Sequence, residues 1–108
     1  MEKVMIIHTD STNFDSIVKE HNVCLVDFFA TWCGPCRMLA VEIEDAVAEN
    51  PNLKVVKVDI DECMDLADKF KIEVVPTMII FKNGAPVQTI TGYLNKDKLL
   101  ETISPYFS

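Results

Sequence analysis

A run of apolar residues at positions 23–29 constrains the fold of this chain more than any other segment. The run is apolar at both odd and even positions, and Asp27 is its only charged residue. Because strand side chains alternate between the two faces of a sheet, a strand of this kind must be covered on both faces. We therefore predict an internal strand of an α/β sheet with helices on both faces.

Two cysteines, Cys33 and Cys36, follow this strand at a spacing of three residues. The apolar periodicity after Cys36 predicts a helix that runs to about Asn50, with Cys33 and Pro35 in its first turn. Free backbone N–H groups and the positive end of the helix dipole stabilise a thiolate there. Gly34 and Pro35 let the chain turn tightly enough for the two sulfurs to meet. We predict a reversible dithiol/disulfide in which Cys33 attacks a substrate disulfide and Cys36 resolves the mixed disulfide.

The main alternative for this cysteine pair is half of a zinc site. A structural zinc site needs four Cys or His ligands, and His8 and His21 follow no ligand spacing. We therefore expect no bound metal. We interpret Cys24 as a small core side chain, and we expect Cys63, near a helix start, to be exposed and oxidisable.

The composition is that of an ordinary globular chain. With 108 residues, 49% of them apolar, we expect one domain spanning 1–108. The net charge of −7 argues against nucleic acid and anionic membranes as partners. The amino end has four consecutive apolar residues, too few for a signal peptide, and no run approaches membrane-spanning length. We expect a cytoplasmic protein.

The remaining pattern predicts the element order β-α-β-α-β-α-β-β-α. Strands are predicted at 4–7, 23–29, 53–60, 78–81 and 87–91, with a hairpin turn at 82–84. We expect Thr12 and Asp15 to form a capping box, and Asp61 and Asn95 to cap later helices. Pro105 is expected to end the last helix. The early alternation requires parallel strands and the late hairpin is antiparallel, so one mixed sheet is predicted.

Asp27 is the second residue that points to chemistry. Burial in an apolar strand should raise the pKa of its carboxyl. Because the strand leads into the cysteine turn, Asp27 could pass protons to and from Cys36. The alternative is an aspartate that faces solvent at a sheet edge. Lys57, on the neighbouring predicted strand, would by itself be an ordinary surface lysine.

Several segments together resemble the thioredoxin family. They are Val26-Asp27-Phe28, Trp32-Cys33-Gly34-Pro35-Cys36, Val75-Pro76-Thr77, Phe81-Lys82-Asn83-Gly84 and Gly92, in the family's order and spacing over nearly the whole chain. The resemblance implies a thioredoxin fold and reduction of protein disulfides, with no cofactor besides the Cys33–Cys36 disulfide. It also implies a monomer that a thioredoxin reductase re-reduces and that acts on disulfide-containing client proteins. Lys57 matches the family's buried lysine partner of Asp27.

The resemblance also implies a substrate groove. Pro76 precedes a strand interior, where proline is disfavoured, and the resemblance implies a cis Val75–Pro76 bond beside the cysteines. The Val75 backbone would then be free to pair with an extended peptide. Further residues implied to border the groove are Trp32, Gly34, Pro35, Thr77 and Gly92. Trp32 taken alone could equally be a core aromatic.

Four positions depart from the family's usual pattern. Val41 replaces a proline that kinks the long helix, so we expect a straighter helix. Phe29 replaces a tryptophan, and Glu73 and Val74 make the groove rim bulkier and more acidic. Two other functions stay open: a dithiol oxidant or isomerase, and a binding module that holds a partner without exchange.

Overall fold

The apolar strand predicted at 23–29 lies in the middle of a five-stranded mixed sheet. The computed structural model describes residues 6–107. Its elements are β1 (Ile6–His8), α1 (Phe14–Glu20), β2 (Val23–Phe29), α2 (Gly34–Glu49), β3 (Val55–Asp59), α3 (Met64–Lys69), β4 (Thr77–Lys82), β5 (Ala85–Thr91) and α4 (Lys96–Phe107). The predicted element order is confirmed. Strand β3 is shorter than predicted and β5 is longer, and positions 4 and 5 of the predicted first strand lie outside the described residues.

The strands lie in the order β1-β3-β2-β4-β5. Strands β1, β3 and β2 are parallel, whereas β4 is antiparallel to both β2 and β5. The predicted mixed sheet is therefore confirmed. Because β2 is central, its carboxyl end places the cysteine turn at the middle of one sheet edge.

Alternate residues of β2 enter different cores. Val26 and Phe28 pack on the face of the sheet that α1 and α3 cover. Leu25 packs on the opposite face, with apolar residues of α2 and α4. Helices therefore cover both faces, as predicted. Asp27, two residues after Leu25, is directed to the same face as α2.

The start of α1 differs from the prediction. The helix begins at Phe14, and Asn13 precedes it without a side-chain capping bond. The predicted capping box of Thr12 and Asp15 is wrong. Asp10 closes the turn before the helix instead, because its Oδ1 accepts a hydrogen bond from the Asn13 N–H at 2.8 Å.

The start of α3 also differs. Asp61 was expected to cap this helix, but the helix begins at Met64 after Cys63. Asp59 Oδ1 instead accepts from the Asp61 N–H at 2.9 Å and from the Glu62 N–H at 3.4 Å. The capping prediction for Asp61 is wrong because Asp59 forms this turn and releases the Asp61 side chain for another contact.

The last helix confirms one predicted boundary and contradicts the other. Asn95 Oδ1 accepts from the Lys98 N–H at 2.9 Å, as expected for a cap. Pro105 does not end the helix, which continues to Phe107. Proline is tolerated here because it lies in the final turn, where the carbonyl it leaves unpaired belongs to the exposed residue Glu101.

Candidate active site

Cys33 and Cys36 are joined as a disulfide at the carboxyl end of β2. Their Cα atoms are 5.2 Å apart, within the range that a disulfide spans. Cys33 is the capping residue of α2 rather than part of its first turn, and the helix begins at Gly34 with Pro35 next. Cys33 Sγ accepts a hydrogen bond from the Cys36 N–H at 3.2 Å. A free N–H group of the helix start therefore points at this sulfur, which favours negative charge on it.

Both sulfurs are enclosed. Cys33 is 5% exposed and Cys36 is 3% exposed, so the two side chains differ little in accessibility. Cys33 Sγ also lies 3.7 Å from the Val75 carbonyl oxygen. The segment that contains Val75 therefore lies directly beside the Cys33 sulfur.

Asp27 and Lys57 form a buried ion pair behind the disulfide. Asp27 is fully buried and is paired in register with Lys57 on β3, so the alternative of a solvent-facing aspartate is wrong. Lys57 Nζ lies 3.6 Å from Asp27 Oδ2. Burial raises the pKa of the Asp27 carboxyl to about 6, and the positive charge of Lys57 opposes that rise. Such a carboxyl can gain or lose a proton near neutral pH.

A cavity of about 260 Å³ lies next to Lys57 of this pair and to Cys36. Lys57 and Cys36 both line it, together with Phe29, Arg37 and Ala40. Water entering this cavity would reach Lys57 and the Cys36 side of the disulfide.

The peptide bond between Val75 and Pro76 is cis, as the resemblance implied. Thr77 Oγ1 donates to the Val74 carbonyl at 2.7 Å, and the Gly92 N–H donates to the Pro76 carbonyl at 2.8 Å. Gly92 has φ of 93°, a conformation that favours glycine. These bonds hold the Val75 segment beside Cys33.

Trp32 lies on the surface next to the disulfide. It is 66% exposed, so the alternative of a core aromatic is wrong. Its Nε1–H donates to Asp61 Oδ2 at 2.9 Å. Trp32 also lines a cavity of about 310 Å³ with Glu73, Val74 and Val75. An apolar side chain of a bound peptide could enter this cavity.

Sequence reasoning missed two contacts. The bond between Asp61 and Trp32 joins residues 29 positions apart, and no local pattern indicates it. Phe29 was noted only as a departure, but Lys57 Nζ lies 4.6 Å from the centroid of its ring. That contact follows from strand pairing, because Phe29 lies two residues after Asp27, the register partner of Lys57.

The other two cysteines lie away from the site. Cys24 is fully buried, as predicted, and burial raises the pKa of its thiol to about 11. Cys63 is only 1% exposed, so the expectation of an exposed, oxidisable thiol is wrong. Its side chain turns inward and packs with Phe14 and Leu66.

Among positions 6–107, no three or more His, Cys, Asp or Glu side chains are grouped to hold a metal ion. Over the same positions, no helix has the length and apolar character needed to cross a membrane.

Comparison with known proteins identifies the family of this chain. The profile of the thioredoxin family matches residues 5–105. The thioredoxin of Staphylococcus saprophyticus is 38% identical over 102 residues, which cover 94% of this chain and 97% of that protein. The chain belongs to the thioredoxin family. With its paired cysteines, it is a thiol–disulfide oxidoreductase that acts as a protein-disulfide reductase.

Other members of the thioredoxin family are also similar to this chain in sequence and in fold. Thioredoxin-2 of Pyricularia oryzae is 42% identical over 102 residues, and the match covers 93% of this chain but only 59% of that protein. The bifunctional thioredoxin reductase/thioredoxin of Mycobacterium leprae is 41% identical over 102 residues, covering 94% of this chain and 22% of that protein. A solved structure of a mutant thioredoxin from Halobacterium salinarum is 32% identical to this chain and superimposes with a TM-score of 0.89. The match covers 100% of this chain and 96% of that one. The thioredoxin fold predicted from the sequence is confirmed.

Proposed function

We propose that Cys33 is the attacking residue of this thioredoxin-family reductase. The Cys33 thiolate attacks one sulfur of a client disulfide, forms a mixed disulfide and releases the other client sulfur as a thiolate. The N–H of Cys36, directed at Cys33 Sγ at 3.2 Å, is the observation that supports this assignment. It stabilises the negative charge from which the attack begins.

Cys36 completes the exchange with the help of Asp27. The Asp27 carboxylate accepts the thiol proton of Cys36, directly or through water in the adjoining cavity. The Cys36 thiolate then attacks Cys33 Sγ, the Cys33–Cys36 disulfide forms, and the client thiolate leaves and takes up a proton. Two electrons have then passed from the dithiol to the client disulfide. Lys57 offsets the charge of Asp27 during this step.

The client binds as an extended segment along Val75. The Val75 carbonyl lies 3.7 Å from Cys33 Sγ, which supports pairing between the two backbones next to the reacting sulfur. The border of this groove is formed by Trp32, Gly34, Pro35, Pro76, Thr77 and Gly92. Trp32 supplies an exposed apolar surface, and the 310 Å³ cavity beside it accommodates a neighbouring side chain.

A thioredoxin reductase returns the disulfide to the dithiol form. The Mycobacterium leprae relative, which carries both names in one protein, supports this partnership. We propose a monomer, as the resemblance to the thioredoxin family implies, and one domain, because the family profile matches residues 5–105. A cytoplasmic location agrees with the free cysteines Cys24 and Cys63, which suit a reducing compartment. A role in electron transport follows from the two-electron exchange at Cys33 and Cys36. The charge of −7 disfavours nucleic acid and anionic membranes.

Reduction of insulin tests the roles of the two cysteines. We expect Cys33→Ser to abolish turnover, because no thiolate remains to attack. Cys36→Ser should also stop turnover but accumulate a covalent adduct with the client, detectable by mass spectrometry under non-reducing conditions. Cys63→Ser is the matched control and should keep activity. An adduct trapped by Cys33→Ser instead of Cys36→Ser would reverse the assignment.

A further inference from the structure

Phe29 contacts both parts of the proposed site. Its half-buried ring packs against the cluster that contains Cys33 and Cys36. The ammonium group of Lys57 lies 4.6 Å from the centroid of the same ring and 3.6 Å from the Asp27 carboxylate. The Lys57 ammonium therefore contacts an aromatic face and a buried carboxylate at the same time.

The ion pair alone does not fix the position of Lys57. At 3.6 Å it is longer than an ordinary hydrogen bond, and within residues 6–107 neither Asp27 side-chain oxygen has a hydrogen-bond partner. A lysine ammonium is strongly hydrated and sits on a flexible four-carbon chain. The cavity lined by Lys57, Arg37 and Ala40 offers it a path away from Asp27.

The aromatic ring opposes that movement. The face of a phenylalanine ring carries partial negative charge and attracts an ammonium within about 6 Å. We propose that Phe29 is a positioning residue that holds the Lys57 ammonium beside the Asp27 carboxylate. The inference rests on the proposed role of Asp27 as proton acceptor, since the position of Lys57 affects exchange only through Asp27.

The other groups around the pair are few. On β1, His8 is the register partner of Lys57, and its ring meets Phe29 edge-on with centroids 6.3 Å apart. On α2, Cys36 and Arg37 line the adjoining cavity. On β4, the register partner of Asp27 is the uncharged residue Met78. Among these neighbours, Lys57 is the cation that lies within ion-pair distance of Asp27.

The test replaces the ring and follows Asp27 directly. In Phe29→Leu, and in Phe29→Met as a second aliphatic variant, we expect the titration midpoint of the Asp27 carboxyl carbon, measured by NMR, to rise above about 6. Insulin reduction should slow about threefold near pH 6 and little near pH 8, because less Asp27 is ionised at the lower pH. Phe29→Tyr keeps an aromatic face and should restore both properties.

A matched control separates positioning from packing. The Phe70 ring also lies under a lysine, with Lys69 Nζ at 5.5 Å from its centroid, but on the other face of the sheet. Phe70→Leu should lower stability without moving the Asp27 midpoint. An unchanged midpoint in the Phe29 aliphatic variants, or an equal change in Phe70→Leu, would overturn the proposal. A raised midpoint with an unchanged rate–pH profile would support positioning by Phe29 and refute proton transfer by Asp27.

Discussion

The ionised carboxylate of Asp27 destabilises the folded chain. Burial raises the pKa of its carboxyl from 3.8 to about 6, even with Lys57 at 3.6 Å. Between these pH values, the folded chain binds more protons at this site than the unfolded chain. The Asp27 contribution therefore makes the free energy of unfolding fall as the pH rises from about 4 to about 6.

Replacing Asp27 by asparagine should remove this dependence. We expect Asp27→Asn to raise the free energy of unfolding above pH 7 by roughly 2–3 kcal/mol, because a difference of one pKa unit corresponds to about 1.4 kcal/mol. Below about pH 3 the gain should vanish, since the carboxyl is then neutral in both states. Urea denaturation of the oxidised protein across this range measures the difference. Asp68→Asn, on exposed α3 surface, is the control; a gain independent of pH would contradict the account.

At the scale of elements, the β4–β5 hairpin depends on a turn with positive φ angles. Asn83 and Gly84 have φ of 52° and 82°, as a two-residue hairpin turn with this twist requires. A Cβ atom at Gly84 would also lie 2.9 Å from Lys19 Cγ on α1. Gly92 has φ of 93°, but a Cβ there would meet nothing within 4 Å. The two glycines therefore separate backbone strain from steric conflict.

We expect Gly92→Ala to lower the free energy of unfolding by about 1 kcal/mol through backbone strain alone. Gly84→Ala should cost about 2 kcal/mol, because Lys19 must also move. In a Lys19→Ala background, the cost of Gly84→Ala should fall to that of Gly92→Ala. Thermal and urea unfolding of the parent protein, the three single variants and the Lys19→Ala/Gly84→Ala double variant would test this. Equal costs in the original background would show that Lys19 moves aside freely.

Local patterns predicted the elements that lead into the site. The strand at 23–29 and the helix after Cys36 were recognisable because burial on both faces and a helical period each leave a repeating pattern. Helix starts were harder to predict, because each of these segments contains several residues that can close a turn. Asp10 and Asp59 accept the turn hydrogen bonds, whereas the sequence had pointed to Thr12 and Asp61. Such competition is decided by the folded chain path, not by residue type.

Contacts between distant segments were beyond local patterns. The bond from Trp32 to Asp61 and the Phe29–Lys57 contact exist only once the sheet is assembled. The lysine partner of Asp27 and the cis bond before Pro76 were anticipated through resemblance to the thioredoxin family. The inward direction of Cys63 was missed because proximity to a helix start does not determine which way a side chain faces.

For the whole molecule, charge near the groove should influence which clients react. The chain carries a net charge of −7, and the cavity beside Trp32 is lined by the exposed residue Glu73. Asp61 lies close by through its bond to Trp32. A negative rim attracts cationic segments and repels anionic ones, and salt weakens both effects. Clients with basic residues beside the disulfide should therefore react faster.

Charge reversal at the rim tests this preference. With disulfide peptides flanked by Lys or by Glu, we expect the Lys peptide to have the higher kcat/KM at low salt, and Glu73→Lys to reduce the ratio about threefold. Glu20→Lys is the control, because it changes the net charge by the same amount. Glu20 lines a different cavity together with Tyr106 and Phe107, at the end of β2 opposite the disulfide. Because this control leaves the rim unaltered, the ratio should hardly change. An equal effect of both variants would assign the preference to total charge rather than to Glu73.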